Sequence, residues 1–252
     1  MKFECKDVAF LLVCRFDSID RMENALIVTD FLVSNFNTNV HFWEYAPFEN
    51  GIFRKLIAKD VLYRFCQDDN PILHRTRYLN SMVRAVTEKY VAIWDVDVII
   101  SVEQIIKSIE MLRNGINFVY PYKNYFYDTS MIIRRKFYEN REFEYLRKSV
   151  AFMTELYPPN PVGGAFFANR DTYINSGLEN EHFYGWGVED GERFMRWNMQ
   201  NQKIVRVEGP LFHLSHSRGI NSRISCIDAE LVKQRIFNSS IRHESWKTTN
   251  NN

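Results

Sequence analysis

No apolar run in the 252 residues comes near the roughly 18 that span a bilayer. Charge of one sign is also missing. Lys and Arg number 32 and Asp and Glu 31, a net charge of +1, whereas a nucleic-acid binder carries a clear basic excess. No nucleic-acid partner is therefore expected. Cysteine is sparse, and Cys5, Cys14, Cys66 and Cys226 show no CxxC spacing. That excludes a disulfide frame and a cysteine-based zinc site, and the four read as buried or incidental thiols in a reducing compartment. Gly-x-Ser-x-Gly, Walker A and Gly-x-Gly-x-x-Gly are all absent. Gly185-Trp186-Gly187 is nearest to the last, but it lacks the third glycine and a good preceding strand. There is no internal repeat and no Pro/Gly/Ser linker. With 46% hydrophobic and 25% charged residues, disordered, collagen-like and low-complexity classes fall away. The start, Met1 to Asp7, carries charges where a signal peptide needs an apolar core, so no export signal is expected.

What is present is alternation. Val8–Val13 is a continuous apolar run, as a buried parallel strand would be. A helical pattern follows, with Ile19, Met22, Ala25 and Leu26 at three-and-four spacing and Asp17 or Ser18 as N-cap. Strands are predicted at Val40–Tyr45, at Val61–Phe65 and, most clearly, at Tyr90–Trp94. Helices are predicted over Arg77–Lys89 and Val102–Leu112, the latter closed by Asn114-Gly115. Further strands are predicted at Phe118–Pro121, Ala165–Ala168 and Ile204–Val207, and helices at Glu192–Met199 and Ile227–Ile236. Tyr122–Pro159 has no clean period and reads as helix plus loop. The last residues, Thr248–Asn252, should fray. The pattern is that of one α/β domain with a nucleotide-binding first half and an elaborated second half. Aromatics at 15% suit stacking on sugars, although aromatic cores are the commoner cause.

Three constellations carry possible chemistry. Asp95-Val96-Asp97 follows the clearest strand, at the edge where open α/β sheets bind ligands. In a strand or its extension the two carboxylates share a face and suit Mg²⁺ or Mn²⁺ on a diphosphate. The alternative is a polar strand end that caps the next helix. His213-Leu214-Ser215-His216 offers two imidazoles, which reach one cation if the segment is irregular or helical, and suit Mn²⁺ better than Mg²⁺. The alternative is two surface histidines. Tyr184-Gly185-Trp186-Gly187-Val188-Glu189-Asp190 sets a Trp between glycines, ahead of paired acids. Trp186 offers an apolar face to a sugar, and Glu189 or Asp190 a general base. The alternative is a tight loop feeding an acidic N-cap.

Taken in order, these residues resemble the β-1,4-galactosyltransferase-like glycosyltransferases, which share elements with bacterial capsule and chondroitin-type polymerases. The resemblance runs from about Val8 to Arg218 and is densest over Gly163–Asp171 and Phe183–Asp190. It implies a GT-A fold, a single domain of residues 1–252 with a mostly parallel central sheet. Residues 1–115 would be the nucleotide-binding half, 116–220 the donor-sugar and acceptor half, and 221–252 a C-terminal helix and tail. Carried over, Asp97, His213 and His216 are the metal ligands, with His213 where the family has Met, and the cofactor is a divalent metal, Mn²⁺ foremost. Asp190 is the catalytic base, with Glu189 beside it. Arg15, Arg75, Asp95, Val96, Gly163, Gly164 and Trp186 bind the donor, and Asn80 supports them. Pro161 stands where galactosyltransferases have a Tyr that limits room at the donor's second carbon.

The implied reaction is transfer of galactose or N-acetylgalactosamine from a UDP-sugar, with inversion, to a saccharide or glycolipid acceptor in surface polysaccharide synthesis. The implied setting is the cytoplasm of a bacterium, with peripheral association at the inner face of the membrane. The alternatives are a sugar-nucleotide hydrolase or nucleotidyltransferase, and a carbohydrate-binding relative without activity. Asp95, Asp97, Asp190 and His216 together argue against the last.

Overall fold

The Val8–Val13 run lies inside β1 (Phe3–Cys14) in the computed structural model, which describes residues 1–222 and 227–250. Cys226 and the terminal Asn251-Asn252 lie outside the described residues. The helix α1 (Ile19–Asn35) starts at Ser18, whose side chain accepts from the Arg21 N–H, so Ser18 and not Asp17 is the N-cap. The segments β2 (Phe36–Ala46), α2 (Ile52–Leu56) and β3 (Val61–Gln67) follow. The next helix, α3 (Arg75–Ala85), starts and stops earlier than its apolar spacing predicts, because the chain turns extended at the β-branched Val86. Strand β4 (Tyr90–Trp94) has the predicted bounds and is buried at every residue.

After β4 come the two-residue β5 (Val98–Ile99), α4 (Val102–Arg113) capped by the Ser101 hydroxyl, and β6 (Phe118–Tyr120). The aperiodic stretch holds more structure than its sequence suggests. It contains β7 (Phe126–Asp128), α5 (Met131–Asn140), α6 (Phe143–Lys148) and β8 (Thr154–Glu155). The remainder is β9 (Ala165–Asn169), α7 (Arg170–Asn175), α8 (Glu189–Met199), β10 (Ile204–Arg206), β11 (Leu211–His213) and α9 (Ile227–Asn250). The last helix runs well beyond the predicted Ile236.

Seven strands form the main sheet, in the order β10-β6-β9-β4-β1-β2-β3. Neighbours are parallel except β9, which runs antiparallel to both β4 and β6. The reversal of β9 carries Gly163-Gly164 to the same edge as the end of β4, since Trp94 pairs with Ala165. A smaller sheet, β5-β11-β7-β8, sits at that edge. Phe10, Trp94 and Phe167, from β1, β4 and β9, meet edge to face at 5.5 to 5.9 Å. Each such ring contributes about 1.5–3 kcal/mol by burial, and aromatic pairs about 0.5–1.5 kcal/mol more. The Trp94 indole N–H also donates to the Val98 carbonyl at 3.0 Å, closing the turn between β4 and β5. No helix among the described residues is long and apolar enough to cross a membrane.

Gly164 is where the two sheets meet. Its φ is +81°, and a Cβ there would lie 2.9 Å from Leu211 and 3.0 Å from Phe126. Gly164→Ala should therefore cost about 1–3 kcal/mol from backbone strain and overpacking. The expected outcome is a Tm several degrees lower by calorimetry. An unchanged Tm would mean that the two sheets give way freely at this point.

Candidate active site at the sheet edge

Backbone bonds build the site's floor. The Asp95 N–H donates to the Gly164 carbonyl at 2.9 Å, and the Leu214 N–H to the Asp97 carbonyl at 2.7 Å. Asp95 to Asp97 is a turn and not the strand extension expected from the sequence, because the Val98 N–H folds back to the Asp95 carbonyl. The two carboxylates consequently take different partners. Asp95 forms a close ion pair with Arg75 of α3. Asp97 points between the two histidines, its Oδ1 3.7 Å from His213 Nε2 and its Oδ2 3.1 Å from His216 Nε2.

His213 ends β11 and His216 lies in the irregular segment after it, which is how residues three apart converge. One ligand atom each from Asp97, His213 and His216 fall within 4.8 Å of one another. One carboxylate and two imidazoles form a mixed oxygen and nitrogen set that fits a divalent transition metal such as Mn²⁺ better than Ca²⁺. Asp97 is 7% exposed. Burial alone would raise its pKa, but the two imidazoles hold the carboxyl well below its usual value. Burial likewise works against a charged His213, but Asp97 and Asp128 override it and raise the imidazole to about 9. The pair is thus an ion pair when no cation is present.

These groups line one cavity of about 560 Å³, a size typical of small-ligand sites. Its wall includes Arg75, Asp95, Val96, Asp97, Gly163, Gly164, Trp186, Glu189, Asp190, His213 and His216, and also Pro161. Arg15 is the exception among the expected donor-binding residues, and it does not line the cavity. Its guanidinium is committed inside the protein, to Asp68 Oδ2 at 2.6 Å, to the Tyr45 carbonyl at 3.0 Å and to the Asn70 carbonyl. It ties the ends of β1, β2 and β3 together. Arg21 takes a place on the wall instead, from the first turn of α1. It is buried, and its NH2 lies 3.3 Å from His216 Nε2. The NH1 of Arg75 is buried without a hydrogen-bond partner among the described residues. Two guanidinium groups therefore face the cavity beside the Asp97 triad.

Elsewhere on the cavity wall, α8 begins at Glu189, three residues before its predicted start, so Asp190 sits in the first turn and the N-cap is Val188. Val188 has φ +75°, a left-handed conformation that costs a β-branched residue energy. The Asp190 Oδ1 accepts from Arg193 at 2.8 Å. Its Oδ2 is turned toward Gly163, where an added Cβ would come within 2.9 Å of it. Arg193 is fully buried, pairs with Glu179 at 2.9 Å and donates to the Val162 carbonyl. Asn80 brackets Glu179, accepting from its N–H and donating to its carbonyl, both at 2.9 Å. Asn80 thus reaches Asp190 through Glu179 and Arg193, without lining the cavity. Pro161 is fixed from below, its carbonyl accepting from the Tyr122 hydroxyl and from Arg206. The Trp186 carbonyl accepts from Lys233 of α9, and its ring is partly exposed toward the cavity.

Sequence reasoning missed Arg21, Asp128 and Arg193. A signal existed for Arg193, which stands at the i+3 position from Asp190 on a helix. None existed for Asp128, which reaches His213 only through strand pairing.

No protein-family profile matches the chain, and no curated protein does. Solved structures do. The catalytic domain of Drosophila β1,4-galactosyltransferase 7, in complex with xylobiose, matches 92% of this chain over 79% of its own, with 14% identity and a TM-score of 0.56. The mannosyltransferase PcManGT from Pyrobaculum calidifontis, in complex with GDP-Man and Mn²⁺, matches 85% of this chain over 58% of its own, with 14% identity and a TM-score of 0.53. Glucosyl-3-phosphoglycerate synthase from Mycobacterium tuberculosis, in complex with Mn²⁺, UDP and phosphoglyceric acid, matches 94% over 78%, with 12% identity and a TM-score of 0.52. At these identities the likeness carries the fold, which is GT-A, as the resemblance implied.

Glu189 gives a pH test of this geometry. It is buried, its Oε2 has no hydrogen-bond partner among the described residues, and Asp190, Arg75 and Lys233 surround it. Burial, reinforced by Asp190, raises its carboxyl from 4.5 to about 7. Between those values the folded protein holds a proton that the unfolded chain has released, so stability falls as pH rises and levels off above. Glu189→Gln removes that loss. The Tm of the variant relative to wild type should rise from pH 5 to pH 8. A difference independent of pH would place an ionised Glu189 in the folded protein throughout.

Proposed function

We propose that the chain is an inverting, metal-dependent glycosyltransferase that moves a hexose or N-acetylhexosamine from a UDP-sugar to a saccharide or glycolipid hydroxyl. The observation that carries this reading is the convergence of Asp97, His213 and His216 on the cavity that Asp190 also lines. Similar structures support it, having been solved in complex with manganese and UDP-Gal, with GDP-Man and Mn²⁺, and with Mn²⁺ and UDP. We propose further that residues 1–252 act as one catalytic domain, and that the product belongs to a surface polysaccharide.

The chain's own groups divide the work. Asp97, His213 and His216 would hold the cation, which when bound neutralises charge on the leaving diphosphate. Arg75 and Arg21 present guanidinium groups to the same diphosphate, the first with an unpaired NH1. Gly163 and Gly164 allow the backbone to approach the donor sugar, and Trp186 gives the sugars an apolar face. Asp190 Oδ2 takes the proton of the acceptor hydroxyl. The acceptor oxygen bonds to the anomeric carbon as the bond to the UDP oxygen breaks, and UDP leaves. Arg193 keeps Oδ1 occupied, so only one oxygen of Asp190 serves as base. One base and one displacement give inversion. Galactose or N-acetylgalactosamine is the favoured donor sugar, and Pro161 in the cavity wall leaves room for an N-acetyl group.

UDP release measured with and without a saccharide acceptor tests the class, because a hydrolase releases UDP equally fast without one. The residue-level test is Asp190→Asn. General-base catalysis contributes about 10²–10⁴-fold, so turnover should fall by that order. UDP-sugar affinity should stay within a few-fold, because the diphosphate ligands are untouched. Arg193 keeps its ion pair with Glu179, so the fold should persist. Turnover within a few-fold of wild type would remove Asp190 from the mechanism.

A further inference from the structure

Asp128 lies at the end of β7, behind the cavity wall. The parallel pairing of β7 with β11 sets it directly beside His213. Its Oδ1 accepts from His213 Nδ1 at 2.7 Å and from the Ser215 hydroxyl at 2.9 Å. The strands are pinned just beyond this point. The Thr129 N–H donates to the His213 carbonyl at 2.9 Å, and the Thr129 hydroxyl accepts from the Ser215 N–H at 3.0 Å. Four hydrogen bonds thus hold two residues of β7 and its extension against His213 and Ser215. Nothing in the transfer reaction just described uses them.

An ionised carboxylate can only accept. A ligating His213 is neutral and carries one ring proton, and Asp128 Oδ1, 2.7 Å from Nδ1, holds that proton there and leaves the lone pair on Nε2, the atom that faces Asp97. His216 has the weaker arrangement. Its Nδ1 meets the neutral carbonyl of Ser217 at 2.8 Å, and the Arg21 guanidinium crowds the ring. Of the two imidazoles, His213 is thus the one with a carboxylate accepting from its Nδ1.

We propose that Asp128 is a positioning residue that fixes the tautomer and orientation of His213 for cation binding, making His213 the stronger imidazole ligand of the pair. This rests on the metal-dependent reading above. Loss of such a carboxylate behind a ligating histidine typically weakens metal binding about 10–100-fold. Asp128→Ala removes both acceptor and charge. Asp128→Asn is isosteric and keeps one acceptor oxygen for Nδ1 while losing the charge.

The test is a Mn²⁺ titration of the full chain in the presence of UDP, following free Mn²⁺ by electron paramagnetic resonance, with the Tm of the metal-free protein measured alongside. The expected Mn²⁺ Kd rises about 10–100-fold in Asp128→Ala and by a smaller factor in Asp128→Asn. Metal-free Asp128→Asn should still unfold in one cooperative transition, at a Tm lowered by loss of the charge beside His213. A merely structural role would lower the metal-free Tm without this graded loss of affinity. An unchanged Kd in a folded Asp128→Ala overturns the proposal. If that variant does not fold, an unchanged Kd in Asp128→Asn overturns it equally. A wild-type chain that binds no Mn²⁺, with or without UDP, instead overturns the functional reading and the proposal with it.

Discussion

The carboxylate of Asp97 is buried between two imidazoles, and the rest of the site is arranged around that fact. A buried carboxylate without partners would be protonated or would destabilise the fold. His213 and His216 keep it ionised. They can do so only because the smaller sheet brings β11 back to the turn after β4. The antiparallel pairing of His213 with Val98 and the bond from the Leu214 N–H to the Asp97 carbonyl are the two contacts that close this loop. Gly164 lets the two sheets touch there, and a side chain in its place would have to push Leu211 and Phe126 aside.

A second buried charge system ends in the same cavity. Asn80, Glu179, Arg193 and Asp190 form a line that starts in the protein interior and ends in the cleft. Buried ion pairs contribute little net stability, because desolvation offsets most of the attraction. Their value here is geometric. Arg193 immobilises one oxygen of Asp190 and stacks its guanidinium over Phe166, 4.3 Å from the ring centre, so the remaining oxygen has a fixed place beside Gly163. Three converging side chains that could hold a cation and an anchored carboxylate thus line the same cavity.

Much of this was legible in the sequence. Strand β4 and the two acids at its end could be read because a fully buried strand is a short apolar run with sharp ends, although the turn that parts their carboxylates could not. The two histidines could be paired with Asp97 only through resemblance, since β11 is three residues long and has no period of its own. The stretch from Tyr122 to Pro159 hid two strands for the same reason. Each is two or three residues long and is held by partners far away in the chain. Asp128 was invisible because its role depends on register, which no local pattern encodes. Arg15 misled for the opposite reason: a basic residue after the first strand suits a nucleotide, but Asp68, fifty-three residues later, claims it. The antiparallel course of β9 was also unreadable, as a buried strand looks alike in either direction.

The central claim is that Asp97, His213 and His216 together hold one divalent cation on the diphosphate of a bound nucleotide. Crystals grown with Mn²⁺ and UDP, with anomalous scattering recorded for manganese, test it most directly. The account predicts a single strong anomalous peak in the cavity, bonded to all three side chains and to phosphate oxygens of UDP. A peak away from these residues, or UDP bound in the cavity with no peak beside Asp97, would contradict it.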